Sequence, residues 1–138
     1  MRQSEVQLRF LKSFTELFPR LVFRGLRRFA SGSEGPYAFV LRVAAGRAGV
    51  DVDLHCIALT EGHPEEVKRF LARIKEGQPP APAEDGAPCL PVLIAPYFSD
   101  ETRATCAGEQ VGCLDLAGNA HLDVDGVYLE IGGRPNPN

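Results

Sequence analysis

Residues 111–132 read Val-Gly-Cys-Leu-Asp-Leu-Ala-Gly-Asn-Ala-His-Leu-Asp-Val-Asp-Gly-Val-Tyr-Leu-Glu-Ile-Gly. Two strand-like runs bracket an Asp-x-x-Gly-Asn core, and a third run, Val127 to Ile131, closes the segment. Asp115 and Asn119 are polar groups inside an apolar segment, where an unpaired side chain costs a few kcal/mol. They must bond the backbone or serve a partner. The bland expectation is a tight bend in which Gly118 and Asn119 take positive φ and Asp115 accepts backbone amides. The functional one is a polar rim for a nucleic acid or a protein. Asp125-Gly126 fits a two-residue hairpin turn better than the start of a calcium loop, because the later ligands of such a loop are absent.

Upstream, the chain alternates strand and helix signals. Ser4 with Gln7 suggests a capped first helix carrying Val6, Phe10, Leu11, Phe14, Leu17 and Phe18 on one face. Leu21 to Ala30 mixes apolar residues with three arginines and suggests a short second helix or an irregular link, so residues 1–30 are expected to be helical and basic. Ser31 to Pro36 is a loop by its turn residues. Tyr37–Ala44 and Val50–Leu59 read as a β-hairpin joined across Gly46 and Gly49. A helix is expected after His63-Pro64, with Val67, Phe70, Leu71 and Ile74 buried. Residues 77–88, rich in proline, alanine and glycine, form a surface excursion. Leu90–Phe98 is a buried strand, and Ser99 caps the helix that follows. Strands linked by helical crossovers give an α/β class: a mixed β-sheet flanked by helices on both faces.

The 138 residues suit one domain over residues 1–134, with 135–138 as a tail or the start of a linker. Net charge is −3, but residues 1–30 hold Arg2, Arg9, Lys12, Arg20, Arg24, Arg27 and Arg28 against only Glu5 and Glu16. A basic end on an acidic body is compatible with phosphate contact through Arg20, Arg24, Arg27 and Arg28, or with a solvated face. Four cysteines without a Cys-x-x-Cys pair, and no apolar span of membrane length, lead to an expectation of a cytoplasmic protein with free thiols.

Catalytic patterns are sparse. His55, His63 and His121 with Asp51, Asp53, Asp115, Asp123 and Asp125 match no zinc spacing. There is no Gly-x-Ser-x-Gly elbow, no phosphate-binding glycine loop and no cysteine in cationic surroundings. The hairpin-then-helix layout of residues 37–75 is, however, a scaffold on which two acids and a lysine hold Mg²⁺ in metal-dependent nucleases.

Leu93-Ile-Ala-Pro-Tyr-Phe-Ser99, Val111 to Ala120 and Gly126 to Ile131 together resemble a group of bacterial proteins with a restriction-endonuclease-like (PD-(D/E)xK) domain. Some of these are AbiEi-type antitoxins or transcriptional regulators, often with a winged-helix DNA-binding domain behind. The resemblance covers residues 88–134 and extends over 37–76. It implies a nuclease-like domain in contact with DNA or a protein partner, and a winged helix beyond residue 138. Aligned on Gly62-His63-Pro64, the family's first acid falls at Ala38 and its Glu-x-Lys pair at Ile57 and Leu59. None of the three can bind Mg²⁺ or activate water. The resemblance therefore implies a catalytically degenerate copy with no cofactor and a binding or regulatory role. An active Mg²⁺-dependent nuclease with acids relocated to Asp51, Asp53 or Glu61 is one alternative. A scaffold that only dimerises is another. The strand alternation puts Asp51 and Asp53 opposite the apolar set, as on a solvated face.

Overall fold

A computed structural model describes residues 1–29, 36–45, 49–80, 82–125 and 127–136. Its centre is a seven-stranded sheet whose strands lie side by side in chain order. They are β1 (Val22–Arg28), β2 (Phe39–Ala45), β3 (Val50–Ala58), β4 (Cys89–Ala95), β5 (Gly112–Asp115), β6 (Ala120–Val124) and β7 (Val127–Ile131). The helices are α1 (Gln3–Leu17), α2 (Pro64–Glu76) and α3 (Asp100–Gly108). β1, β2 and β3 form an antiparallel meander, β3, β4 and β5 run parallel through the crossovers α2 and α3, and β6 and β7 return antiparallel.

The period-2 alternation of β3 sorts the core into two layers. Val52, Leu54, Cys56 and Ala58 join Val6, Phe10, Phe14 and Phe18 of the α1 side. Ile57 and Leu59 join Val67, Phe70 and Leu71 of α2 and Cys106 of α3 on the opposite face. The sheet is thus mixed and covered by helices on both faces, as expected from the order of elements. Pro91 is tolerated within β4 because β5 begins to pair only at Val92, so the missing N–H breaks no ladder on that side.

Two expectations need correction. The larger concerns the expected second helix or irregular link, where Val22–Arg28 forms the edge strand β1, so the basic N-terminal stretch is helical only as far as Leu17. Its pairing with β2 slips between Phe23 and Gly25, and this bulge destroys the alternation that would have marked a strand. Ser4 does not cap α1: the helix starts at Gln3 behind Arg2, without a side-chain cap. Gln3 instead donates to the Ala58 carbonyl at 2.9 Å, tying the helix start to the end of β3. His63 occupies the N-cap position of α2 but its side chain makes no cap bond.

Ser99 caps α3 as expected, accepting from Thr102 N at 3.2 Å. Val124 pairs with Val127, leaving two residues for the β6–β7 turn. The loop expected at Ser31-Gly32-Ser33-Glu34-Gly35 and the hairpin residues Gly46 to Ala48 lie outside the described residues, as do Gly126 and the last two tail residues. No described helix is long and apolar enough to cross a membrane.

Candidate functional site

Arg20 is exposed in the turn after α1, and Arg24, Arg27 and Arg28 are exposed along β1. Because β1 is a sheet edge, its side chains project on both sides of one ribbon. Arg27 lies opposite Val40, and Arg28 opposite Phe39 on the other face. Arg24, the extra residue of the bulge, approaches Asp51 at 3.6 Å. Among the described residues, Arg20, Arg27 and Arg28 make no ion pair, and the Arg27 guanidinium lies 5.8 Å from the centre of the Phe29 ring. Val22, Phe23 and Leu26 are exposed between these cations.

Beside this edge the meander holds a charged cluster that composition did not suggest. Arg42 of β2 is opposite Asp53 of β3 and binds it with Nε at 2.7 Å and Nη2 at 3.1 Å. Asp85, from the proline-rich excursion, closes on the same guanidinium through both its oxygens. The two carboxylates raise the Arg42 pKa above its ordinary value. In return the Arg42 side chain holds the Asp85 carboxyl at about 2. Asp53 is therefore not on a solvated face: it is buried, only 7% exposed, under a strap fastened from more than thirty residues away. Burial lowers the pKa of neighbouring His55, which meets Tyr37 edge-on and lies tilted beside Phe29.

The positions implied for a Mg²⁺ site do not fit that ion. Ile57 and Leu59 are buried in the α2–α3 layer, and Ala38 is half-buried against the α1 layer. The acids that would replace them do not converge. Asp51 and Asp53 sit at the start of β3 on Arg24 and Arg42, whereas Glu61 follows its far end, beside the Met1 ammonium at 3.3 Å. Asp53 to Ala58 alone is roughly 17 Å of strand, so Asp51 and Asp53 lie at one end of β3 and Glu61 beyond the other. Cys56 is fully buried, and burial pushes its thiol up, away from a nucleophile's range.

Asp115 and Asn119 form a closed polar knot. Asp115 accepts from Phe98 N (2.9 Å), Ala117 N (3.0 Å), Asn119 N (2.8 Å) and Asn119 Nδ2 (2.9 Å). Burial pushes its pKa up, against the pull of these four donors. Gly118 supplies the positive φ, at 97°, while Asn119 does not share it. Asn119 also brackets Arg134, donating to its carbonyl at 3.2 Å and accepting from its N–H at 3.0 Å. The tail is thus bound back onto the sheet at Arg134. Next to it Arg103 is buried, donating to Phe98 O at 3.2 Å and pairing with Asp100. Both residues of the knot are fully buried, so it offers no rim to a partner.

No protein-family profile matches the chain, and no curated protein matches it. Among solved structures, it is similar to the MspJI restriction endonuclease in complex with a 27-mer oligonucleotide, at 18% identity and a TM-score of 0.46, over 81% of this chain and 25% of that one. It is also similar to EndoMS in its apo form, at 14% identity and a TM-score of 0.42, over 84% of this chain and 46% of the other. The chain spans less than half the length of either.

Proposed function

We propose that this chain is a nuclease-like domain that binds nucleic acid without cutting it, in a regulatory role. The observation that carries the reading is the exposed row of Arg24, Arg27 and Arg28 on one sheet edge, with Arg20 beside it and no described carboxylate on Arg20, Arg27 or Arg28. Exposed guanidiniums on a ribbon accessible from both faces suit a phosphate backbone, since each phosphate contact releases a counterion. The non-cutting half of the proposal is supported by the burial of Ile57 and Leu59 and by the separation of Asp53 from Glu61.

Retention of the protein on immobilised DNA should fall with salt. The variant Arg24→Ala/Arg27→Ala/Arg28→Ala should elute at least tenfold more weakly, with a salt slope shallower by about 2 to 3. Unchanged retention of the triple variant refutes the interface. A plasmid-nicking assay with Mg²⁺ or Mn²⁺ tests the other half: cleavage that disappears in Asp53→Ala refutes a binding-only role.

A further inference from the structure

We propose that the β1 edge takes single-stranded nucleic acid, with phosphates along Arg24, Arg27 and Arg28 and an unpaired base entering the cavity on the Arg27 face of the ribbon. This inference rests on the nucleic-acid reading and narrows its ligand. Three observations separate a single strand from a duplex. Val22, Phe23 and Leu26 are 52%, 49% and 39% exposed on the same seven-residue strand as the arginines. A duplex presents mainly phosphates to such an edge and leaves these apolar groups without use. Unpaired bases offer flat apolar faces that stack on them.

The second observation is a cavity of about 720 Å³ beside the cations, lined by Gly25, Arg27, Arg42, Asp53, Glu84 and Asp85. Its three carboxylates against two guanidiniums disfavour a phosphate. They do not disfavour a neutral base, whose amino groups find acceptors there, Glu84 among them. Its size is ordinary for a small-molecule site. The third is Arg27, whose guanidinium packs over Phe29 and leaves its other flat face for a base. The competing occupant is an acidic peptide strand pairing with β1. The bulge between Phe23 and Gly25 interrupts the backbone ladder that such a strand needs, and charged edge residues act against pairing.

The test is fluorescence anisotropy of the whole chain with a labelled mixed-sequence DNA single strand, and with the blunt duplex of the same sequence. The expected result is at least tenfold tighter binding of the single strand. Phe23→Ala should weaken single-strand binding about tenfold and leave duplex binding within about twofold. Gly25→Ile should act in the same direction without changing charge, since a Cβ added there meets nothing within 4 Å and the side chain grows into the cavity mouth. Duplex binding as tight as single-strand binding overturns this inference and spares the nucleic-acid reading, whereas no binding of either overturns both. Polyglutamate displacing the single strand as well as unlabelled single strand does would make the edge a mere polyanion surface, and this too overturns the inference.

Discussion

Asp115→Ala is expected to lower the unfolding free energy by about 4 kcal/mol, measured as the shift in urea midpoint at constant m-value. The carboxylate accepts from three backbone N–H groups and the Asn119 amide in a fully buried place. Truncation orphans donors that water cannot reach, and a buried unpaired polar group costs far more than a made bond contributes. Asp115→Asn should lose about half as much, because one oxygen still accepts while the new amide faces donors. The damage should also spread along the chain. Asn119 is aligned by Asp115 and in turn holds Arg134 by two hydrogen bonds, so amide exchange at Arg134 should accelerate in Asp115→Ala. A loss below about 1 kcal/mol would mean that water or another group rescues the donors, and would refute the knot as a keystone.

That knot was readable from its residues, and the reason is local. Asp at i with a glycine at i+3 and Asn at i+4 is a bend that closes on itself, so spacing specifies the acceptor and its local donors at Ala117 and Asn119, while Phe98 N comes from a distant loop. The same holds for α2, whose apolar spacing at Val67, Phe70, Leu71 and Ile74 fixes its face, and for β3, where alternation separates two layers. Legibility failed where long-range contacts decide. Asp53 looks like a solvated strand residue until the excursion brings Asp85 onto Arg42. The burial of Arg103 depends on the Phe98 carbonyl and on chain passing at Gly132, which no periodicity announces. β1 failed for a different reason. An exposed edge strand needs no apolar face, and its bulge breaks the period that remains. The candidate interface therefore lies on the element that sequence patterning identifies least well: its arginines were visible as charge, but not as a row.

Glu66 carries the second large effect, and only a weak hint of it, an acid in the first turn of a helix, stands in the sequence. Its carboxylate accepts from Thr60 N (2.8 Å), Glu61 N (3.0 Å), Gly62 N (2.9 Å) and Thr60 Oγ1 (2.7 Å), filling the nest of amides between β3 and α2. The side chain thus does for the loop what His63 does not do for the helix. Gly62 permits the turn, with φ at 90° and no room for a Cβ against Tyr97 O and Ala95. Burial alone would raise the Glu66 pKa, but the hydrogen bonds from Gly62, Thr60 and Glu61 outweigh it and bring the value from 4.5 down to about 2. A depressed acid contributes stability that is fully present above its ordinary value and is lost as pH falls from about 4.5 toward about 2. A shift of this size corresponds to about 3 kcal/mol at neutral pH. Glu66→Gln keeps the shape and one acceptor but not the charge, so it should cost about 2 to 3 kcal/mol at pH 7. The difference between wild type and variant should shrink through the window from 4.5 down, and nearly vanish at about pH 2. Other carboxylates titrate in both proteins, so the readout is that difference in denaturant midpoints, not the wild-type curve alone. A gap that stays constant from pH 7 to pH 2 would assign the effect to packing and not to the ionised carboxylate.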